Sequence, residues 1–161
     1  MNSEEIGKQM IYELENDLEL YLTHCKNNYV KYVKVAQVIF KDIYDKMNLF
    51  DYSKSNPADI NYKAKELQKV NELETEIDVL QEAIYSEIYT PWTYERLAII
   101  YIKQKEFEKA YKVCMKWFEL DYWKLPNTSD GSLRILKRIN NLEKKLNIFN
   151  KLRKYKGYYL I

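Results

Sequence analysis

Apolar residues recur at steps of three and four along most of the chain, which is the spacing of one face of an α-helix. In the first segment this stripe runs through Ile6, Met10, Leu14, Leu18, Tyr21 and Cys25. Ser3 stands before the stripe and can cap a helix N-terminus, while Glu4 and Glu5 suit the positive end of the helix dipole. The pattern predicts a first helix from Ser3 to about Cys25.

The second segment, NNYVKYVKVAQVIFKDIYDKM, alternates in part like a β-strand. No glycine turn lies nearby that would pair it with a second strand. We therefore predict a helix rich in β-branched residues. One face of this helix should carry Val33, Gln37, Phe40, Tyr44 and Met47.

Two stretches that contain proline divide the rest of the chain. NLFDYSKSNPAD ends in Asn56-Pro57, a typical helix start, and a long amphipathic helix is predicted from there to about Tyr89. PNTSDGS then precedes a last helix. The stripe of the long helix contains Leu73, Ile77, Leu80 and Ile84, and that of the last helix contains Leu133, Leu136, Ile139, Leu142 and Leu146.

These elements predict a single all-α domain over residues 1–161, built as a helical array. Residues 1–56 should hold the N-terminal helices and a linker, and residues 57–122 the long helix and a helical hairpin. Residues 123–150 should form a C-terminal capping helix, and residues 151–161 a basic, aromatic tail.

The hairpin segment, residues 91–122, carries a recognisable motif. Its first helix places an aromatic residue, a leucine, a small residue and a tyrosine at Tyr94, Leu97, Ala98 and Tyr101, and its second helix carries Phe107, Ala110 and the closing Glu119 to Asp121. This segment resembles a tetratricopeptide repeat, with Lys105 in place of the usual turn glycine and Tyr122 in place of the usual proline. A shift back by one repeat length places Ile77, Leu80 and Ala83 at second-helix positions, which resemble the closing half of a preceding repeat.

The resemblance implies a binding surface. In tetratricopeptide proteins the face opposite the repeat core lines a groove that holds partner peptides. Here that face carries Trp92, Glu95, Ile99, Ile102 and Lys103. Three of these are large and apolar, so the face should be covered, either by the N-terminal helices or by a partner segment anchored on Trp92 with Glu95 and Lys103 at its rim.

Charge is distributed unevenly along the chain, and this suggests an alternative function. Residues 1–90 carry 10 Lys and Arg against 17 Asp and Glu, whereas residues 123–161 carry 10 against 2. Such polarity can attract an acidic partner, join one copy to the next, or clamp the two ends of the chain together. A single-stranded nucleic acid could bind the basic end through Arg134, Lys137, Arg138, Arg153, Lys154, Tyr155 and Lys156.

Catalytic and cofactor chemistry have little support in the sequence. There are three glycines and no phosphate-binding or dinucleotide motif, so we expect no enzyme activity and no cofactor. His24 is the only histidine, and we expect no metal site. Cys25 and Cys114 should be buried free thiols. The carboxylate pairs Glu13 with Asp17 and Glu72 with Glu76 should lie on solvated helix faces.

The sequence therefore predicts a protein-interaction module, either an adaptor or an inhibitor, and gives nucleic-acid binding as the alternative. Similar short, solitary repeat proteins occur in low-GC bacteria and their phages, so the resemblance implies action on a host or defence protein. No stretch reaches the roughly 18 apolar residues of a membrane span, and no signal peptide is evident, so we expect a cytoplasmic location without membrane contact. Self-association into a homo-oligomer is also compatible with the charge polarity.

Overall fold

The structure, a computed structural model, describes residues 1–50 and 56–148. Within those ranges it contains nine α-helices and no strand, which confirms the predicted all-α array. The helices are α1 (Ser3–Asn16), α2 (Leu18–Asn27), α3 (Tyr29–Ile39), α4 (Lys41–Asn48), α5 (Pro57–Lys69), α6 (Leu73–Tyr85), α7 (Pro91–Lys103), α8 (Phe107–Glu119) and α9 (Ser129–Leu146). Two short 3₁₀ turns, Tyr122–Lys124 and Pro126–Thr128, join α8 to α9.

The prediction of one helix from Ser3 to Cys25 is wrong, because the chain breaks at Asp17. Asp17 has an extended backbone, with φ −152°, and its carboxylate accepts a hydrogen bond of 3.1 Å from the backbone N–H of Leu20. The side chain thus caps α2 and favours the break. The cap of α1 is Asn2, not Ser3, since Asn2 and Glu5 each accept a hydrogen bond from the other's backbone N–H.

The second segment is helical as predicted, and the predicted face is only partly the buried one. Phe40 is buried, and Tyr44 and Met47 pack against the core. Gln37 is exposed, whereas Tyr32, Val35, Ala36 and Ile43 are buried. The chain leaves helical geometry at Phe40, between α3 and α4, and this break shifts the phase of the two buried faces.

The long helix predicted from Pro57 to Tyr89 is in fact two helices. Asn71 adopts φ 57°, and its N–H donates to the Gln68 carbonyl at 3.2 Å while the N–H of Glu72 donates to the Leu67 carbonyl at 3.0 Å. These two bonds form a Schellman motif, which ends a helix on a left-handed residue. Asparagine tolerates that conformation better than most residues, so no glycine or proline was needed to end α5.

The hairpins α5–α6 and α7–α8 repeat the same boundaries at a constant offset along the chain. α5 begins at Pro57 and α7 at Pro91, while α6 begins at Leu73 and α8 at Phe107, so both pairs of starts are separated by the same length of chain. The small, fully buried Ala64 of α5 recurs at that offset as Ala98 of α7. The chain therefore contains two consecutive hairpins of equal length where one hairpin and one long helix were expected.

The array continues from these hairpins through α9 to the N-terminal helices. α6 packs on α7, α8 and α7 pack on α9, and the other side of α9 packs on α2, which in turn contacts α1 and α3. α9 begins at Ser129, inside the stretch predicted as a break, and Gly131 lets it approach Pro91 of α7 closely. α9 is therefore a central helix rather than a terminal cap within the described part of the chain.

Candidate functional site

The predicted binding face of α7 is only partly accessible. Trp92 is half-buried, and the Lys65 ammonium of α5 lies 5.6 Å from its ring centroid. Ile99 and Ile102 are half-buried, and Ile102 packs against the core. Lys103 is the fully exposed member of the set. The three apolar members of this face are thus partly covered within the chain.

Glu95 is the buried centre of an ion-pair network. Its carboxylate accepts hydrogen bonds from Arg134 Nε at 3.0 Å and from Arg138 Nε at 3.2 Å, both on α9. Arg134 also donates to Asp130, whose carboxylate lies 2.8 Å from Lys26 Nζ on α2. Hydrogen bonds from Lys26 and then Arg134 lower the pKa of Asp130. The network connects α7, α9 and α2.

This network changes the interpretation of both predicted sites. Glu95 is 7% exposed and paired within the chain, so it is not a rim charge that awaits a partner. The α9 helix, rather than the N-terminal helices, is the main neighbour on the Pro91 and Glu95 side of α7. Sequence reasoning assigns Glu95 and the two α9 arginines to competing sites, and only the fold brings them together.

Fewer basic side chains of α9 are free to bind a nucleic acid than the sequence predicted. Arg134 and Arg138 are held by Glu95, and Lys137 alone of the three is exposed without an ion pair among the described residues. A phosphate would compete with the Glu95 carboxylate for the two arginines. The other predicted contacts, Arg153, Lys154, Tyr155 and Lys156, lie outside the described residues.

Two carboxylates expected on solvated faces are buried and paired instead. Glu76, 1% exposed, accepts from Arg96 Nε at 2.7 Å and from Arg96 Nη2 at 3.0 Å, which joins α6 to α7. Glu13, 4% exposed, accepts from Gln9 at 2.7 Å and from His24 Nδ1 at 2.6 Å. Neither pair belongs to a cluster of metal-ligating type, and residues 1–50 and 56–148 contain no group of three or more such side chains.

The two cysteines are free and buried, as predicted. Burial is the largest cause that raises the pKa of both thiols to about 12. A thiol with that pKa is almost wholly protonated at neutral pH and is a poor nucleophile or metal ligand. Cys25 and Cys114 therefore have structural roles.

An apolar groove between α1 and α3 is a further candidate site, and sequence reasoning missed it. We call it the α1–α3 groove, with a volume of about 660 Å³. Its floor and walls are apolar, and its rims carry Glu4, Lys8 and Glu15 on α1 and Lys34 on α3. The apolar lining consists of Gly7, Ile11, Tyr12, Val35, Val38 and Ile39.

The groove brings exposed apolar side chains of α1 and α3 together on one surface. Val38 is 77% exposed and Tyr12 is 67% exposed, although both side chains are large and mainly apolar. Gly7 has no side chain to fill the floor, and an added Cβ there would make an ordinary contact of 3.4 Å with Val35 Cγ1. The sequence did contain a signal for this groove, namely that α3 is apolar on most of its surface. Such a helix is expected to be covered on a second face as well as on the face that packs in the core.

No helix in the described part of the chain is long and apolar enough to cross a membrane. Comparison of the chain with family models, with curated proteins and with solved structures gives no match.

Proposed function

We propose that this chain is a non-enzymatic protein-interaction module that binds a helical protein segment in the α1–α3 groove. The observation that carries the proposal is the contiguous apolar lining of the groove, in which Val38 and Tyr12 are largely exposed. Contiguous exposed apolar surface with a charged rim commonly marks a protein-binding site.

The shape of the site favours a helix as the bound element. Two packed helices present a furrow between their side-chain ridges, and a third helix fits such a furrow by ridges-into-grooves packing. The lysines and glutamates at the rims would orient the bound segment. Gly7, which has no side chain, leaves the floor of the furrow unfilled.

We further propose that the two hairpins of residues 57–119 are tetratricopeptide-like repeats. The constant offset between their boundaries and the paired Ala64 and Ala98 support this proposal. The offset from Pro57 to Pro91 matches the repeat length of that family, which is about 34 residues. In this arrangement the repeats are a scaffold that positions the N-terminal helices through α9. The adaptor or inhibitor role predicted from the sequence fits such a scaffold.

A photoreactive side chain at position 38 tests the groove in cells that express the protein. We expect p-benzoylphenylalanine at Val38 to form a protein adduct, and Ile11→Glu in the same chain to abolish it. Position 70 is the matched control, because Val70 is an equally apolar residue, 65% exposed, outside the groove. Adducts from position 103 but not from position 38 would move the binding surface to α7 and contradict the proposal.

A further inference from the structure

The two helices that form the α1–α3 groove carry opposite net charge. At the groove itself, α1 carries Glu4 and Glu15 together with Lys8, whereas α3 carries Lys34 and contains no acidic residue. The acidic helix and the basic helix lie side by side on one face of the molecule. A surface of this kind is electrostatically complementary to a copy of itself, provided that the copy is turned so that α1 meets α3.

We propose that the occupant of the α1–α3 groove is a second copy of this chain. A two-fold axis that runs along the groove would lay α1 of one copy over α3 of the other and make a four-helix contact. Such an interface is isologous, so each acidic helix meets the basic helix of the other copy, and this contact occurs twice in the dimer. The inference rests on the proposed function, because it names the helical segment that the groove binds.

The apolar pattern of α3 supports the same occupant. Eight of its eleven residues are apolar, yet only Tyr32, Val35 and Ala36 are buried inside one copy. Val38, which lines the groove, stays 77% exposed. A helix that is apolar nearly all round is normally covered on both faces. A facing copy covers Val38 with the same apolar lining, and it supplies matching charges without a requirement for any other protein.

The size of the groove predicts a weak dimer. α1 has 14 residues, so it is about 21 Å long, and two packed helices are about 20 Å wide. The projected contact is therefore on the order of 400 Å² per copy, about half of the 800 Å² that a standard interface buries on each side. We expect a reversible dimer with a dissociation constant on the order of tens of micromolar.

Sedimentation equilibrium of the purified full chain, from about 1 to 500 µM, tests the inference. The wild-type chain should shift from monomer to dimer over this range, and Val38→Glu should weaken association at least tenfold while its circular dichroism spectrum stays unchanged. Val70→Glu introduces the same charge at an exposed apolar site elsewhere, and it should dimerise like the wild type. Equal loss of the dimer in both variants would place the interface outside the groove and overturn the inference.

A charge-reversal pair tests the orientation. Lys34→Glu removes the positive rim of α3, and the double variant Glu4→Lys with Glu15→Lys reverses the charge of α1, so each variant alone should associate more weakly than the wild type. Mixing the two should restore association, because the acidic α1 of the first then meets the basic α3 of the second. If mixing restores nothing, α1 does not face α3, and the proposed two-fold arrangement is wrong.

The photocrosslinking experiment separates failure of this inference from failure of the proposed function. An adduct from position 38 that migrates at twice the 19.6 kDa mass of the chain supports the dimer. A wild-type chain that stays monomeric but forms an adduct with a different protein would overturn the inference and leave the proposed function standing. A crosslink within one chain to residues 149–161 would assign the groove to the C-terminal segment and overturn both.

Discussion

Lys105 adopts φ 59° in the turn between α7 and α8, a conformation that glycine reaches without steric cost. Its N–H donates to the Ile102 carbonyl at 3.0 Å, and the N–H of Glu106 donates to the Tyr101 carbonyl at 2.8 Å, which completes a Schellman motif. Asn71, Glu87 and Asn147 are left-handed in the same way. A chain with three glycines thus ends helices on residues that carry a Cβ, at a cost in backbone strain.

Lys105→Gly should therefore stabilise the protein. The left-handed conformation costs a residue with a Cβ about 1–2 kcal/mol, and the extra freedom of glycine in the unfolded chain offsets part of that, so the net gain should be about 0.5–1 kcal/mol. Urea denaturation measures the change. Lys112→Gly, in the exposed middle of α8, is the control and should lose about 1 kcal/mol. A loss of stability in Lys105→Gly would contradict the role assigned to its φ angle.

The two helical glycines at positions 7 and 131 should respond in opposite directions to alanine. A Cβ on Gly131 would lie 2.5 Å from Pro91 Cγ, and the proline ring cannot turn aside, so Gly131→Ala should cost about 1–3 kcal/mol. A Cβ on Gly7 would make ordinary contacts at 3.4 Å and 3.9 Å, and Gly7→Ala should be neutral or stabilise by up to about 1 kcal/mol through helix propensity. Thermal unfolding of both variants measures the two stability changes. Equal changes in the two variants would contradict the prediction.

At the scale of elements, buried ion pairs link the helices in addition to their apolar packing. The bidentate Arg96–Glu76 pair connects the α5–α6 hairpin to α7, and the Glu95 network connects α7 to α9 and α2. Glu76 is 1% exposed, so its charge has almost no access to solvent. A buried ion pair adds little net stability, but either partner left unpaired is strongly destabilising, so the pair favours the packing of α6 on α7 in which both charges are satisfied.

Arg96→Met should destabilise the protein by about 3–5 kcal/mol, because it leaves the Glu76 carboxylate buried without its partner. The double variant Arg96→Met with Glu76→Leu removes both charges and should recover most of that loss. Urea denaturation of the single and double variants gives the coupling between them. If the double variant is less stable than Arg96→Met alone, the cost lies in packing rather than in the unpaired charge.

At the scale of the whole molecule, the core runs without interruption from the N-terminal helices to α9. One cluster of buried side chains includes Met10 of α1, Leu80 of α6, Trp117 of α8 and Ile139 of α9. The rings of Tyr21 of α2 and Trp123 meet edge to face, with their centroids 6.4 Å apart, which joins the N-terminal helices to the turn before α9. We therefore expect residues 1–50 and 56–148 to unfold as one unit.

Thiol labelling tests this unity. With pKa values near 12, only about one thiol in ten thousand is ionised at pH 8, so Cys25 and Cys114 should resist iodoacetamide in the native protein. In rising urea both should become reactive at the same concentration, which mass spectrometry of the labelled peptides would measure. Labelling of Cys25 well before Cys114 would show that the N-terminal helices unfold separately from the array.

Particular residues explain which predictions held. The three- and four-residue spacing predicted helical structure correctly but not every helix boundary. Pro57 and Pro91 marked the starts of α5 and α7, since proline at the first helical position acts locally. The breaks at Asp17 and Asn71 were missed because neither residue forbids a helix, and packing of the flanking helices decides whether the chain turns there. The α1–α3 groove was missed because α1 and α3 are separated in sequence by α2.

The sequence by itself determined the helical class, the apolar stripes, two helix starts and the burial of both thiols, since these depend on periodicity and on residue type within a few neighbours. Tertiary structure alone decided that Glu95 pairs with Arg134 and Arg138, that Glu13 and Glu76 are buried, and that the open apolar surface lies between α1 and α3. The physical reason is that charge pairing and exposure depend on which helix faces join, and helices distant along the chain choose those faces only when they pack.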